Sequence, residues 1–343
     1  MPLQLSGTTN IQVLVNGKQM PGLLRASIAT TNCFAADTYS ITFAINSSAD
    51  IAFWSMISSA YLEVTAVVPV TSGGYQNLIT GMADTIHVDP IQGTVGVEGR
   101  DLSSSMIDSY RQQDFVNQSA SEIVSAIAQY HNLQAVVTPT IGNIGRYYSD
   151  GYTKLSLGQF SRLQSDWDLV VQLARENDFD VFVESRLLYF QASGASASVP
   201  TYLSLKDVQT ARIEKNLSIS TNVTAKVQSW SSQNMAAYQS GDPGENAPVE
   251  QGSGVTGLPF LFSGANYTPQ QATDWARRYE TELNRLGTVL NLDMPWDLSL
   301  CPRATILLND TNSLFDTTYQ IDSIERHFSS TSGSRQLVRA VKV

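Results

Sequence analysis

The sequence predicts a β-rich α+β fold, and three stretches of it carry that prediction. Residues 11–98 hold a series of short runs with alternating or β-branched character, separated by turn residues. Residues 161–190, SRLQSDWDLVVQLARENDFDVFVESRLLYF, read as one helix feeding one tight hairpin. Residues 268–286 read as a sharply punctuated helix, and strands follow it to the last residue.

In the first stretch, Ile11 to Val15 runs into Asn16-Gly17, a hairpin turn signal. Tyr39, Ile41, Phe43 and Ile45 alternate with smaller or polar residues, the period of a half-buried strand. Ala49 to Ser55 suits a short helical crossing. Further strands are expected over Tyr61 to Val68, Tyr75 to Val88 and Thr94 to Glu98. Gly99-Arg100-Asp101-Leu102 then ends a strand, with Asp101 placed to cap a short helix and Arg100 expected in solvent.

The middle stretch has two helices with legible ends. Ser119 and Glu122 make a capping box for a helix over 119–131, whose stripe is Ala120, Ile123, Val124 and Ile127. Leu133 to Val137 is a strand, and Ile141 to Tyr152 a loop. Ser165 is the expected N-cap of the next helix, with Asp166 and Asp168 in the dipole-favoured first turn. Trp167, Val170, Val171 and Ala174 form its buried stripe, and Asn177-Asp178 ends it. Phe179 to Val183 and Leu187 to Phe190 flank the turn Glu184-Ser185-Arg186.

Ala211 to Trp230 returns to strand character. Ser231 to Gly264 is rich in Gly and Pro and reads as a long loop. In the last stretch Thr268 is the expected cap, Pro269 takes the first helical position, and Gly287 stops the helix. Strands are expected over Val289 to Leu292, Ala304 to Leu308, Thr318 to Glu325 and Gln336 to Val343.

Bulk properties narrow the function. A net charge of −10 argues against a nucleic-acid-binding module, and Arg277-Arg278 is the densest basic pair. Charged residues make up only 15% of the chain, with Ser, Thr, Asn and Gln in their place, which suits a particle component. Cys33 and Cys301 are too few and too far apart for a disulfide framework or a zinc site, and are expected to be buried free thiols. The N-terminus lacks a basic flank and an apolar core, so no signal peptide is expected. The most apolar window, Ile51 to Val70, carries Glu63 and several serines and is no membrane span.

The usual chemical motifs are missing. His87, His131 and His327 belong to no metal-ligand pattern, and His131 falls at a helix end, where a capping or dipole role is expected. There is no GxSxG elbow and no phosphate loop. Gly252 to Gly257 formally matches GxGxxG, yet Leu258-Pro259 follows it where a helix should begin. Glu122 and Glu184 could pair as glycosidase carboxylates, but no pattern selects them over other acids. No catalytic, cofactor-binding or metal-ligating residue is therefore assigned, and no cofactor.

The Gly99-Arg100-Asp101-Leu102 exit, the Trp167-Asp168-Leu169 helix and the hairpin over 179–190 resemble the corresponding parts of bacteriophage baseplate-hub proteins. These are the late control protein D family, and the chain is similar to the hub portion of type VI VgrG spikes. The resemblance implies two tail-tube-like β-barrel domains with an inserted α/β middle domain, spliced into the first barrel. The first barrel would be 1–100, completed by 206–230; the middle domain 101–205; the long loop 231–264; and the second tube-like domain 265–343.

It further implies a structural baseplate hub of a phage, prophage or related contractile injection system, and not an enzyme. Three copies, each with two tube-like domains, would form a pseudo-sixfold ring joining a hexameric tail tube to a trimeric spike around a channel. The implied partners are two further copies, the tail-tube protein, other baseplate proteins and a separate spike protein, because the chain ends at Val343 without VgrG's own spike. DNA would pass the acidic lumen without specific binding, over a screening length of ~8 Å. No membrane insertion is implied. The implied location is the virion tail, assembled in the host bacterial cytoplasm. Two other classes stay open: a hydrolase of cell-wall glycan with a cleft beside the middle domain, and a carbohydrate- or surface-binding module. The second would need an exposed aromatic platform, whereas Trp167 and Trp275 sit on apparent core stripes.

Overall fold

A computed structural model describes residues 11–45, 47–57, 63–69, 74–111, 115, 117–141, 143–144, 165–194, 199–217, 224–231, 236–239, 259–265 and 269–343. The first part contains β1 (Gln12–Val15), β2 (Lys18–Gln19), β3 (Leu23–Thr31), β4 (Thr38–Ala44), α1 (Ser48–Met56), β5 (Glu63–Pro69), β6 (Tyr75–Asp89) and β7 (Thr94–Asp101). Asn16 and Gly17 both adopt positive φ, as a type I′ hairpin requires. The strands lie in the order β1-β5-β6-β7-β4-β3, every pair antiparallel. Their alternation places Ile28, Ile41, Phe43, Val64, Ala66, Val95 and Val97 in one core. The capping box Ser47–Asp50 starts α1, whose Trp54 stacks on Phe43 at 5.8 Å.

The middle part contains α2 (Ser104–Ile107), β8 (Gln118–Ser119), α3 (Ala120–Tyr130), β9 (Gln134–Val137), β10 (Asn143–Ile144), α4 (Asp166–Asn177), β11 (Phe179–Glu184) and β12 (Leu187–Ala192). Ser119 and Glu122 form the expected capping box, and the Ser165 hydroxyl accepts from the Asp168 N–H. Asp178 ends α4 in the left-handed region, where Asn and Asp are the best tolerated non-glycine residues. The hairpin β11–β12 is extended by β9, which runs parallel to β12. Ile123, Ile127, Val170, Leu173, Leu188 and Phe190 fill the core between these helices and strands. Most of the expected loop over 141–152 lies outside the described residues.

The last part contains β13 (Thr201–Ser204), β14 (Thr210–Lys215), β15 (Thr224–Ser231), β16 (Ala236–Gln239), β17 (Pro259–Ala265), α5 (Pro269–Arg285), β18 (Thr288–Pro295), β19 (Thr305–Asn309), β20 (Thr318–Ser329) and β21 (Gly333–Lys342). Six of its strands are ordered β13-β19-β20-β21-β18-β14. Strand by strand along the chain, this repeats the order of the first part. One pairing differs in sense: β13 runs parallel to β19, while β1 runs antiparallel to β5.

Two expectations are corrected here. The strands within 206–230 do not return to the first part: β14 pairs with β18, and β15 pairs with β16 and β17. The outer edge of the first part is already taken, because residues 25–31 of β3 pair with residues 323–329 of β20. The stretch 231–264 is also not one loop, since Ala236–Gln239 and Pro259–Ala265 flank β15 in a second small sheet. A count of glycines and prolines hides the apolar run Phe260-Leu261-Phe262, which is what pairs. Gly252 to Gly257 and Thr268 lie outside the described residues. Among those residues no ladder closes either six-stranded half on itself, and the β3–β20 ladder makes the two halves one continuous sheet.

Candidate functional site

The three parts converge on the hairpin β11–β12. Its turn lies against the first part, where the Asn77 amide donates to the Ser185 hydroxyl at 2.6 Å and Arg186 pairs with Glu63. The segment between β3 and β4 meets it from the other side. There Phe34 donates its N–H to the Val181 carbonyl, and Trp167 donates its indole N–H to the Phe34 carbonyl. The last part contributes Arg303, whose guanidinium lies 3.5 Å from the Phe182 ring centroid and also donates to the Asn32 carbonyl. One arginine thus touches all three parts. It sits at φ 72°, a strained position for a non-glycine residue, immediately after Pro302.

A cavity of about 100 Å³ lies at this junction, lined by Asp37, Asp101, Glu184, Cys301, Arg303 and Arg326 among others. Burial pushes the Asp37 carboxyl up to about 7, with the Asp101 charge adding to it; the hydrogen bonds it accepts from Thr31 oppose the rise. Burial raises Asp101 to about 6 against the hydrogen bonds from Ser103. Cys33, half-buried nearby, is pushed by burial up to about 12, and desolvation of the sulfur at the cavity wall raises Cys301 as well, although the residue as a whole is exposed. Both thiols are free, but Cys301 is exposed and not buried as expected. Thiols held in the neutral form are poor nucleophiles. Burial lowers Arg303 and Arg326; Arg326 donates to the Leu300 carbonyl at 2.6 Å. Asp37, Asp101 and Arg326 bond within their own parts, to Thr31, Ser103 and Leu300, and Arg303 is the member of the group that ties one part to another.

The first part hands over to the middle part through the Gly-Arg-Asp-Leu exit. Gly99 is required by close approach, since a Cβ there would run into the Met82 carbonyl and the Tyr39 hydroxyl. Arg100 is not a solvated side chain: it clamps Asp84 at 2.7 Å and Asp108 at 2.7 Å. Asp101 does not cap α2 itself; its carboxylate accepts from the Ser103 N–H and hydroxyl and shapes the turn before the helix.

His131 does more than end α3. Its Nε2 lies 2.7 Å from the buried Asp166 carboxylate, which Arg111 also contacts at 2.6 Å, while Arg111 stacks on Tyr130. Burial alone would raise Asp166, yet the hydrogen bonds from His131 and Arg111 hold it below the ordinary carboxylate range. His87 lies 3.8 Å from Glu98 and His327 lies 3.3 Å from Glu325. Glu184 lines the junction cavity, whereas Glu122 is spent on capping α3. Among the described residues no group of three or more His, Cys, Asp or Glu is placed to hold a metal, and no helix is long and apolar enough to cross a membrane.

Sequence reasoning missed Arg303, Trp296 and the β3–β20 ladder. Trp296 is 2% exposed and belongs to the core of the first part, although it follows a strand of the last part. In the sequence it simply continues the period-two run Leu290, Leu292, Met294, Trp296, so nothing there marks it as reaching a different core.

No protein-family model and no curated protein matches the sequence. Solved structures do match. The chain superposes on a tail protein from Neisseria meningitidis with a TM-score of 0.71 at 13% identity, covering 98% of this chain and 97% of that one. It superposes on the 43 kDa tail protein of prophage MuSo2 from Shewanella oneidensis with a TM-score of 0.69 at 14% identity, covering 98% and 97%. An E. coli component of the type VI secretion system, itself similar in structure to the T4 bacteriophage tail proteins gp27 and gp5, matches with a TM-score of 0.55 at 12% identity, covering 96% and 76%. Along nearly its whole length, the chain has the fold of phage tail proteins and of their type VI secretion relatives.

Proposed function

We propose that the chain is a structural baseplate hub: three copies form a pseudo-sixfold ring that joins a hexameric tail tube to a trimeric spike and encloses the channel. The observation that carries this reading is the repeated strand order, β1-β5-β6-β7-β4-β3 followed by β13-β19-β20-β21-β18-β14. Two copies of one six-stranded arrangement, side by side in one sheet, give each chain two similar units, and three chains six. A heterologous contact that closes after three copies makes a ring. The junction supports the same role, because Arg303, Trp296 and Arg100 fix domains where an enzyme would present reactive groups. Each six-stranded half acts as a tube-like domain, 1–100 and 265–343 together with β13 and β14, and the middle domain is spliced between them. The protein works in the virion tail, beside a tube protein, a separate spike and other baseplate proteins.

Native mass by light scattering, with negative-stain images of the same peak, tests this reading. A trimer with an open centre is expected. A stable monomer that also ignored tube and spike proteins from the same tail would overturn it.

A further inference from the structure

The repeated strand order can be read residue by residue, and the reading leaves two edges that match each other. Across the first half one transverse row runs Ala83, Gly99, Tyr39, Ile28. Across the second half the corresponding row runs Ile321, Ala340, Leu290, Ile213. Both long strands carry a bulge just beyond this row, at Asp84 in β6 and at Asp322 in β20. Among the described residues the pairing on one side also ends at the same place: β5, described from Glu63, pairs with β6 as far as Met82, and β19 pairs with β20 as far as Gln320.

Beyond the bulge the two strands differ in one respect. In β20 the freed edge, residues 323–329, is covered by β3. In β6 the freed edge, residues 83–89, pairs with no strand among the described residues, and a groove of about 910 Å³ lined by Ile57, Met82 and Ile86 runs beside it. The strand equivalent to β3 in the second half is β14, which among the described residues pairs with β18 alone. Among the described residues there is thus one filled seam inside the chain, and one unfilled copy of each of its two sides.

We propose that β14 of one copy covers the free edge of β6 in the next copy, in the register of the internal seam. Within the chain Ile28 pairs with Arg326, and the flanking pairs are Thr30 with Ile324 and Ser27 with His327. Transferred through the equivalence, Lys215 faces Ile86, Glu214 faces His87, Ile213 faces Val88 and Arg212 faces Asp89. Ile213 meets Val88 on the core side, where the apolar stem of Lys215 also lies against Ile86. On the other face Arg212–Asp89 puts opposite charges together, a favourable cross-strand arrangement, and the Glu214 carboxylate faces the His87 ring as an acceptor. Nothing in the internal seam required this, since its equivalent pairs are uncharged on the β3 side. β-Strand addition also satisfies backbone groups that an exposed edge leaves open. Repeated head to tail, this contact alternates with the internal one and makes all seams of a six-unit ring alike.

This inference rests on the trimer reading, and the test separates the two. In a background with Cys33→Ser and Cys301→Ser, the pair His87→Cys with Glu214→Cys is oxidised and run on a non-reducing gel beside native mass spectrometry. Covalent dimers and closed trimers are expected. The register-shifted pair Thr85→Cys with Arg212→Cys should give none. A trimer by mass in which the first pair fails to link, or links no better than the shifted pair, overturns the seam and leaves the ring standing. A chain that is monomeric at every concentration overturns both. Arg212→Glu supplies a second readout: its side chain is 79% exposed and its pair with Glu214 is a surface one of little worth, so the melting midpoint should hold. Trimer association should weaken roughly tenfold per seam as Asp89 then meets a like charge. Unchanged association would count against the register.

Discussion

The two six-stranded halves share a strand order but not the places where extra chain is spliced into them. The first half is contiguous from β1 to β7, and its excursions are the short hairpin strand β2 after β1 and the helix α1 between β4 and β5. The second half is interrupted between β14 and β18 by a small sheet and α5. Its β20 edge is covered within the chain, while the equivalent β6 edge pairs with no strand among the described residues. The difference teaches that the ladder keeps its strand order and registers while extra chain is spliced in at strand ends. Insertions are tolerated wherever they leave the transverse rows intact, and the middle domain enters at a strand end for the same reason.

The largest effect should come from breaking the independence of the halves. Trp296 follows β18 of the second half but is buried in the first half's core, and its indole N–H donates to the Arg335 carbonyl at 2.6 Å. Trp296→Ala should cost about 3–5 kcal/mol, the range for truncating a fully buried aromatic side chain. Urea unfolding followed by two probes, one in each half, should show both transitions moving together. If only one moved, the halves would be separate folding units and the shared sheet a contact without cooperativity.

The middle domain supplies the next test. Asp166→Ala leaves His131 and Arg111 facing each other without their carboxylate, and should cost about 2–3 kcal/mol by stranding buried polar groups. In the wild type the Asp166 carboxyl is depressed when folded, so its stabilisation is present above the unfolded carboxylate pKa and lost as pH falls through the folded value. A shallower acid limb in the variant's stability–pH curve is the expected reading.

Asp37 at the junction has the opposite sign. Its folded pKa is raised to about 7 from 3.8, so between those values the folded state holds a proton that the unfolded state has released. Stability should fall as pH rises through that window, and the loss should be complete above the folded value. Asp37→Asn keeps an acceptor for Thr31 and removes the titration, so it should flatten this slope and stabilise the protein by about 1–2 kcal/mol at pH 8. Thermal midpoints from pH 4 to pH 8 would check it.

The sequence made local structure legible and left pairing partners hidden. Caps at Ser119 and Ser165, the Asn16-Gly17 turn and the helix over 166–177 follow from chemistry within a few residues of each other. β14 could not be placed that way. Its alternation shows a strand with one inward apolar residue, Ile213, and either half could have accepted it. What decided its place was that β20 had already covered β3, a contact across nearly the whole chain. The junction arginine was invisible for a related reason, because Cys301-Pro302-Arg303 reads as a plain turn until Phe182 and Asn32 are brought beside it. The resemblance to hub proteins correctly predicted the class of fold while misplacing the strands within 206–230.

The smallest predicted effect sharpens the comparison of the two halves most directly. The helix α1 exists only in the first half, held at its start by the reciprocal bonds of Ser47 and Asp50. Losing a cap of this kind costs about 0.5–1 kcal/mol at an exposed helix end. Trp54 anchors α1 to the core through Phe43, but Phe53 and Met56 point outward, and Ile57 at its end lines the groove beside the open β6 edge. If α1 serves only the core, Ser47→Ala should shift the monomer's urea midpoint by that amount and leave association untouched. If α1 also frames the groove for the neighbouring β14, the same variant should weaken the trimer by more than the monomer shift accounts for. Measuring both quantities on one variant tells whether the extra helix of the first half belongs to its own core or to the contact between copies.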